Sequence, residues 1–437
     1  MIEKKKVLIL TYYWPPSGGS GVQRWVKFVK YLRDFGWEPI IYTPSNPEFQ
    51  EIDESLSQEI PPNLEILRQP IWEPYNLYKK FIRIDKNTRL KTGIVQEKAS
   101  PSFAKKLSVW IRGNFFIPDA RKFWIKPSVK FLSDYLRYNS IDVVVSNGTP
   151  HSLHLIGLGL KKKFNIPWLA DFRDPWTNID FFNDLMLTPL AKKKHLSLEK
   201  KVLTTADCVT VTTPGTKRNF LNDYPEANIE VITNGFDSDD FKNLSAEKDP
   251  KFVIAHIGVL TPSRNHPFFW DAIKELVGEN PKFASQFCLR FIGSVDELIL
   301  DEINNRELNS YVEILDYMPH VQILKELKKA SVLLLKIRNS QNQNTIIPGK
   351  IFEYLAAERP IISIGPPGSD SDNILSSTKS GKTFFNRNKR ELKAHIVELF
   401  NNFKNGSFDS NNRVLINKFS RIHLTKEMAQ KLNSILK

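Results

Sequence analysis

The feature that most constrains the fold is an alternation of short apolar segments with amphipathic segments, which runs twice along the chain. In the first run the apolar segments are residues 7–11, 39–43, 141–146, 167–171, 208–213 and 229–233. In the second run they are residues 251–258, 287–293, 311–317, 331–336 and 360–365. The intervening stretches have helical spacing. Strands that alternate with helices predict an α/β fold with doubly wound parallel sheets and right-handed crossovers.

A cluster of turn residues separates the two runs. Asn234, Gly235 and Asp237 open a polar stretch that continues to Pro250, which is typical of a domain linker. We therefore expect an N-terminal domain at 1–234 and a C-terminal domain at 235–417. A final amphipathic helix at about 418–437 is expected to complete the first domain. Ligands of such sheets bind at the carboxyl ends of the strands, so we expect the site in a cleft between the domains.

Residues 70–126 interrupt the first alternation and combine many aromatic residues with lysine and arginine. Two interpretations stay open. The aromatic side chains could pack on the domain as an ordinary insertion. Alternatively, they form an interfacial surface, where aromatic rings enter the headgroup zone and cations meet anionic lipid.

The net charge of +14 favours an anionic partner, such as a phosphorylated substrate or an anionic membrane surface. No helix-turn-helix, zinc-finger or RNA-recognition signature accompanies the charge, so a nucleic-acid partner is not expected. The N-terminal lysines precede only four apolar residues, which is too short for a signal peptide, and no apolar run approaches a membrane span. We therefore expect a cytoplasmic protein.

The segment from Pro348 to Pro360 predicts a short helix that begins with a cation and a carboxylate. A helix N-terminus suits a phosphate, and Lys350 would add a full charge to the same anion. Glu353 offers two acceptor oxygens to the adjacent hydroxyls of a ribose. The alternative is that Lys350 and Glu353 form the solvated face of an ordinary amphipathic helix.

Four further loops follow predicted strands. Gly18 and Gly19 lie between the first strand and the first helix, where backbone N–H groups can approach a ligand closely. His151 follows the strand 141–146, although a lone histidine is more often structural. Asp171, Arg173 and Asp174 end the strand 167–171 and could form either a functional group or a structural ion pair. Arg264 precedes a helix, and its guanidinium suits a phosphate.

Taken in order, these segments resemble a retaining glycosyltransferase of family 4 with the GT-B fold. The resemblance rests on PPSGGSGVQR, SNGTPHS, IPWLADFRDPW, ITNGFD, HIGVLTPSRN and PGKIFEYLAAERPII. It implies two Rossmann-like domains that face each other across a cleft, and a C-terminal helix that crosses back to the first domain.

The resemblance also implies residue roles. Glu353 matches the glutamate that binds the ribose, Arg264 and Lys350 match cations at the diphosphate, and Gly18 with Gly19 matches the glycine pair near the phosphate. A nucleotide-diphosphate sugar is then the donor, and no metal or other cofactor is expected. The activity is expected to be hexosyl or N-acetylhexosaminyl transfer.

The sequence departs from the family pattern at two places. The first glutamate of the usual Glu-x7-Glu pattern is Thr345 here, so Asn342, Asn344 or Thr345 itself is expected to contact the donor sugar. Many members also carry a histidine where this chain has DFRDPW. We expect Asp174 to take that role, with Arg173 and Asp171 beside it and His151 as the alternative.

The expected function is sugar transfer to a glycan or lipid-linked acceptor in surface polysaccharide synthesis, at the inner face of the plasma membrane. Two alternatives stay open. A sugar-nucleotide epimerase of the same fold would turn over without an acceptor. A non-catalytic sugar-nucleotide-binding protein would bind the nucleotide without turnover.

Overall fold

The computed structural model describes residues 4–48, 52–73, 103–242, 244–406 and 413–436. The chain divides into two compact units. Unit 1 comprises Met1–Thr233 and Leu424–Lys437, and unit 2 comprises Asn234–His423. Each unit is built around a parallel sheet, which confirms the predicted α/β class.

The sheet of unit 1 has the strand order β3-β2-β1-β4-β5-β6-β7, and every neighbouring pair is parallel. The order reverses between β1 and β4, so the loops that follow these two strands flank the topological switch point, where such sheets bind ligands. The strands are β1 (Lys5–Leu10), β2 (Trp37–Pro44), β3 (Glu65–Gln69), β4 (Val143–Gly148), β5 (Trp168–Phe172), β6 (Cys208–Val211) and β7 (Ile229–Val231).

Helices connect these strands and cover the sheet of unit 1. The helix Arg421–Ser434 brings Leu424, Met428 and Leu432 into one hydrophobic cluster with Val7 and Trp25. The other described α-helices of unit 1 are Ser20–Leu32, Phe103–Phe115, Ile125–Tyr138, Ser152–Phe164, Pro189–Thr205 and Pro214–Asp223.

The sheet of unit 2 has the order β10-β9-β8-β11-β12-β13, again parallel throughout. Its order reverses between β8 and β11, so the loops after these strands flank the second switch point. The strands are β8 (Phe252–Ile257), β9 (Phe287–Ile292), β10 (Val312–Leu315), β11 (Val332–Lys336), β12 (Ile361–Ile364) and β13 (Gly381–Phe384). The described α-helices are Pro267–Glu279, Pro281–Gln286, Glu297–Asn304, His320–Lys329, Lys350–Ala357, Asp370–Thr378, Lys389–Lys404 and Arg413–Asn417.

Two edge strands, β3 and β13, were not predicted from the sequence. Both are short, and neither carries the fully buried pattern of the central strands. An edge strand packs against one neighbour only, so its sequence needs fewer apolar residues.

The described aromatic residues of the 70–126 insertion differ in burial, and the interfacial interpretation stays a prediction. Trp124 is 1% exposed and stacks on Tyr42 with ring centroids 5.0 Å apart, so it packs on the domain. Trp72, Phe115 and Phe123 are largely exposed. Three further aromatic residues of the insertion, Tyr75, Tyr78 and Phe81, lie outside the described residues. In the described part of the chain, no helix is both long and apolar enough to cross a membrane.

Candidate functional site

The loop after β8 gathers two cations around one glycine in unit 2. Lys350 donates from Nζ to the carbonyl of Ile257, and Arg264 donates from Nη1 to the carbonyl of Val259 over 2.9 Å. Gly258 between them has φ of +99°, and a Cβ there would lie 3.1 Å from Lys350 Nζ. A side chain at this position would crowd the amine in a backbone conformation that favours glycine. The cations therefore lie together at the unit 2 switch point.

The electrostatics of this pair indicate an anion site. Burial and the nearby Arg264 lower the pKa of Lys350 to about 7. Burial and Arg338 lower the pKa of Arg264. A bound anion stabilises the charged forms of two cations that repel each other in this way. A diphosphate at this end of the sheet would supply two negative charges and reverse the shift.

Glu353 lies one turn into the helix Lys350–Ala357, on the side of the cations. Its Oε1 is 3.0 Å from His320 Nε2, and its charge partly offsets the depression of the Lys350 pKa. The following residue, Tyr354, is buried, and its hydroxyl accepts a hydrogen bond from the Ile257 N–H over 3.0 Å. The buried tyrosine fixes the helix against β8 and so positions Glu353. His320 was missed in the sequence because it lies 33 residues from its partner.

The residues predicted to meet the donor sugar lie on a short turn before this helix. Gln343–Thr345 forms a single 3₁₀ turn, and the Thr345 hydroxyl donates to the Asn342 carbonyl over 3.0 Å. Asn344 is exposed. The Thr345 hydroxyl thus closes its own turn. The sugar contacts of these residues stay predictions.

In unit 1 the glycine loop follows β1 and opens the helix Ser20–Leu32. Gly19 is the N-cap, with φ of +88°, and Gly18 precedes it. Arg173 lies over the first turn of this helix, because a Cβ on Gly21 would clash with Arg173 Nη1. The helix start and the guanidinium are both positive, so together they favour an anion at this loop. The structure brings Arg173 to the predicted glycine pair, which the sequence did not show.

Asp174 neutralises part of that charge. Arg173 donates to Asp174 Oδ2 from Nε over 2.9 Å and from Nη2 over 2.7 Å. Thr149, a residue that the sequence analysis did not select, lies 3.3 Å from the same oxygen. Burial opposes ionisation of Asp174, but Arg173 outweighs it and holds the pKa of the carboxyl below its usual value. An aspartate in this state accepts hydrogen bonds well and is a weak general base.

Asp171 lies inside β5 and is completely paired. Arg24 donates to both of its oxygens over 2.9 and 2.8 Å, and both side chains are 0% exposed. Trp25 Nε1 at 2.8 Å and Thr210 Oγ1 at 2.7 Å complete the set. This arrangement joins β5, β6 and the helix Ser20–Leu32. Its geometry favours a structural role for Asp171, and its catalytic role stays a prediction.

Arg24 is the partner that the sequence analysis missed. It lies between Val22 and Trp25 on an apolar helix face, and a single arginine on such a face signals a buried partner. The ion pair expected from the sequence joined Arg173 to Asp171 or Asp174, whereas the structure pairs Asp171 with Arg24 and Arg173 with Asp174.

His151 is buried at the start of the helix Ser152–Phe164. Burial and the neighbouring His154 lower its pKa to about 3, so the ring is neutral at physiological pH. The ring stacks on Trp176 with centroids 4.8 Å apart. Its Nδ1 has no hydrogen-bond partner among the described residues. A neutral imidazole of this kind can donate or accept one hydrogen bond, but it adds no charge.

The predicted residues thus form one group in each unit. Lys350, Arg264 and Glu353 lie together in unit 2, and Gly18, Gly19, Arg173, Asp174 and His151 lie on neighbouring loops of unit 1. No group of three or more histidine, cysteine or acidic residues in the described ranges could hold a metal ion. Metal independence stays a prediction.

Two family models match consecutive parts of the chain. Residues 93–240 match the model described as Glycosyltransferase Family 4. Residues 251–402 match the model described as Glycosyl transferases group 1. Together the two models span well over half of the sequence. No protein among the curated sequences compared with the chain matches it.

Solved structures resemble the chain over its full length. HepE from Anabaena, in complex with UDP, is 13% identical with a TM-score of 0.63, over 98% of this chain and 100% of that one. A glycosyltransferase from Rickettsia africae ESF-5 is 16% identical with a TM-score of 0.61, over 100% and 99%. Sucrose-phosphate synthase from Thermosynechococcus elongatus is 14% identical with a TM-score of 0.60, over 99% of both chains. At these identities the likeness shows the fold, which is GT-B.

Proposed function

Because the chain belongs to glycosyltransferase family 4, we propose that it transfers a sugar from a nucleotide-diphosphate sugar to a glycan or lipid-linked acceptor, with retention of anomeric configuration. The transferred group is a hexosyl or N-acetylhexosaminyl unit. The glycosyltransferase class follows from the family. The donor is supported by the structural neighbour HepE, which is solved with UDP and with UDP-glucose.

The observation that carries the donor assignment is the cation pair at Gly258. Burial and Arg264 lower the pKa of Lys350 in the free protein, and Lys350 and Arg264 each donate to a backbone carbonyl of the loop after β8. A diphosphate would satisfy both cations, and Glu353 one turn further is placed for the ribose hydroxyls. We therefore assign these three side chains to the nucleotide half of the donor.

The same cations explain how transfer is accelerated. Breaking the bond between the anomeric carbon and the diphosphate oxygen develops negative charge on the leaving phosphate. Fixed positive groups that meet this charge stabilise the transition state more than the ground state. Lys350 and Arg264 can supply that charge without a metal ion or another cofactor, and we propose a metal-independent reaction on that basis.

We assign the unit 1 group to the acceptor, the reacting sugar and a phosphate of the substrates. Arg173 and the N–H groups at Gly18 and Gly19 favour the phosphate, while Asp174 accepts hydrogen bonds from hydroxyl groups. His151, neutral and stacked on Trp176, is the alternative hydrogen-bonding group. Asn342, Asn344 and Thr345 are proposed to contact the donor sugar.

We propose that the enzyme works in the cytoplasm, at the inner face of the plasma membrane, in surface polysaccharide synthesis. A net charge of +14 attracts an anionic surface, and several large apolar side chains of unit 1 are exposed beside lysines.

The test is a thermal-shift panel of nucleotide-diphosphate sugars on the full chain. A donor at about 100 times its dissociation constant stabilises the fold by about 2.7 kcal/mol, so one or two members of the panel should raise the melting temperature clearly. Glu353→Gln should abolish this shift and transfer. Glu398→Gln is the matched control, because Glu398 forms a similar 2.9 Å contact with His395 on another helix of unit 2. NMR of the product linkage then reports retention or inversion.

Other outcomes of the panel would redirect the assignment. Turnover of the bound donor without any acceptor would favour the epimerase alternative, and tight binding without turnover would favour a binding protein. If no nucleotide sugar stabilises the wild-type chain, the donor assignment is wrong.

A further inference from the structure

A chain of buried polar side chains, which we call the buried chain, lies next to the unit 1 site. Trp168 Nε1 donates to Ser146 Oγ over 2.9 Å, and Ser146 Oγ lies 2.9 Å from His154 Nδ1. All three side chains are 0% exposed. An indole N–H can only donate, and among the described residues the Ser146 hydroxyl has no other acceptor. The hydroxyl therefore accepts from Trp168 and donates its own proton to His154.

This contact fixes the tautomer of His154. Burial lowers the pKa of His154 to about 3, so the ring is neutral at physiological pH and carries one proton. Because Nδ1 accepts from Ser146, that proton is on Nε2. The ring also stacks on Phe172 with centroids 4.2 Å apart, which holds its orientation. In the described part of the chain, the resulting Nε2–H group has no hydrogen-bond partner.

The unpaired nitrogen atoms of His154 and His151 lie near the same glycine. A Cβ on Gly148 would clash with His154 Nε2 and would lie 3.1 Å from His151 Nδ1. His151 Nδ1, like His154 Nε2, is buried without a partner among the described residues. Unpaired buried polar atoms are costly, and one water can bridge two nitrogens that are this close to a common point. A side chain at position 148 would fill the space that such a water needs.

The same glycine connects the histidines to the charged residues of the unit 1 site. The Gly148 carbonyl accepts from the Arg173 N–H over 3.0 Å. Burial and His154 lower the pKa of His151 most, while Asp174 raises it and Arg173 lowers it further, so both charges lie near the ring. His151 is 7% exposed, whereas His154 is 0% exposed. His151 is therefore the ring through which the buried chain can act on a bound substrate.

We propose that the buried chain fixes His151 as the Nε2–H tautomer, through one water held over Gly148. The His154 Nε2–H donates to the water, and the water donates to His151 Nδ1. The single proton of the neutral His151 ring is then on Nε2. Trp168, Ser146 and His154 are positioning residues in this arrangement. They transfer no proton, and each donor points in one direction along the chain.

The Nε2–H tautomer determines what His151 can do for a substrate. It donates a hydrogen bond to an oxygen of the reacting sugar or of the acceptor. It does not take the proton of an acceptor hydroxyl, because its pKa is about 3 and its Nδ1 is already paired. His151 is thus a hydrogen-bond donor and not the general base. The contact with a substrate rests on the proposed function, whereas the tautomer does not.

The experiment is long-range proton–nitrogen correlation NMR of the full chain with isotope-labelled histidine at neutral pH. This measurement distinguishes the two neutral tautomers and the protonated ring of each histidine. Substitution of single histidines assigns the signals. In the wild type we expect both His151 and His154 to be neutral and in the Nε2–H form.

Variants of the buried chain test whether it sets the tautomer. Ser146→Ala removes the hydroxyl, and His154→Leu removes the N–H group with a side chain of similar size. In both variants a second tautomer of His151 should appear, and its Nδ1 signal should move because that atom loses its hydrogen bond. His154→Gln should keep the wild-type tautomer, since its amide N–H can replace the imidazole N–H. Ser128→Ala is the matched control, because Ser128 is also buried in unit 1 and forms a 2.7 Å hydrogen bond with the Tyr42 hydroxyl.

Activity gives a second readout, with the donor identified by thermal shift. We expect kcat/KM to fall about fivefold in Ser146→Ala and His154→Leu, which is within the range for one hydrogen bond between uncharged groups. It should recover in His154→Gln and stay unchanged in Ser128→Ala. The NMR measurement needs no substrate. A wild type with the expected tautomers but no glycosyl transfer would therefore contradict the proposed function and leave the tautomer assignment intact.

The opposite NMR results would overturn the proposal. In the wild type these are a His151 ring that is protonated, mixed or in the Nδ1–H form, or a His154 ring with its proton on Nδ1. An unchanged His151 signal in folded Ser146→Ala and His154→Leu, or the same change in Ser128→Ala, would show that other residues set the tautomer. The wild-type spectrum tests both rings by itself, so the proposal can be refuted even where a variant fails to fold.

Discussion

The cations near the carboxyl ends of the strands have different partners in the two units. In unit 1 two arginines pair with carboxylates: Arg24 with Asp171, which lies in β5, and Arg173 with the adjacent Asp174. In unit 2 Lys350 and Arg264 donate to backbone carbonyls, and burial with mutual repulsion lowers the pKa of Lys350 to about 7. The difference indicates that the two cations of unit 2 are the stronger anion site, whereas Arg24 and Arg173 of unit 1 are each paired with a carboxylate.

The largest expected effect is structural and comes from breaking the matched pair of unit 1. Arg24→Met leaves Asp171 buried without its cation, which should cost about 3–5 kcal/mol of unfolding free energy. Arg137→Met is the control, because its pair with Asp134 is more than half exposed and contributes below about 1 kcal/mol. Urea unfolding of both variants measures the difference. Equal losses of unfolding free energy in the two variants would show that the Arg24–Asp171 pair stabilises unit 1 no more than an exposed pair does.

The next effect concerns the unmatched cation of unit 2. Lys350→Met removes a charge that meets the departing phosphate, so kcat should fall by about 10²–10³. Lys336→Met is a matched control, since Lys336 is also buried in unit 2 but lies 3.7 Å from the centroid of the Trp270 ring. Measurement of kcat, with the donor identified by thermal shift, distinguishes the two variants. Equal activity of the Lys350 and Lys336 variants would remove Lys350 from the mechanism.

The low pKa of Lys350 predicts a pH dependence of donor binding. Above about pH 7 the free protein loses the Lys350 proton, whereas a bound diphosphate restores it. Binding therefore takes up a proton, and the dissociation constant should rise by up to about tenfold per pH unit above that pH.

Calorimetry between about pH 6 and pH 9 measures this dependence with a nucleotide sugar, whose diphosphate diester keeps its charge in that range. Lys350→Arg should flatten the profile, because a guanidinium stays charged. A wild-type profile that is flat or of opposite slope would show that no anion meets Lys350.

The smallest effect tests the other buried lysine of unit 2. Lys336 Nζ has no hydrogen-bond partner among the described residues, and burial lowers its pKa well below the usual value. Lys336→Met should therefore stabilise the fold by about 1 kcal/mol at neutral pH. Because the unfolded chain binds this proton and the folded one does not, the gain should shrink as the pH rises towards the ordinary lysine pKa. Thermal unfolding at two pH values shows whether it does.

The sequence predicted the central architecture because the core strands are buried on both faces and so form continuous apolar runs. Strands such as β4 and β12 are completely buried, and their pattern is unmistakable. The edge strands β3 and β13 were missed because one flank is open and their residues alternate weakly. Helix Phe103–Phe115 was missed because aromatic and basic residues obscured its periodicity.

The role of a site residue could be predicted where it depends on the local sequence. It could not be predicted where it depends on a partner that is distant along the chain. Lys350 and Glu353 follow from the start of one helix. The choice between Asp171 and Asp174 depends on Arg24, which lies 147 residues from Asp171 and reaches it only across the folded sheet. The contact of His320 with Glu353 is of the same kind, so neither could be read from spacing along the chain.

The most direct test of the contrast between the units is calorimetry. It measures how tightly two variants bind one nucleoside diphosphate, namely that of the nucleotide sugar that stabilises the wild-type chain most. Lys350→Met should lose at least about 100-fold in affinity, since its charge meets the diphosphate. Arg173→Met should lose much less, because Asp174 already offsets that charge. Equal affinity of Lys350→Met and the wild type, or a larger loss in Arg173→Met, would contradict the assignment of the nucleotide to unit 2.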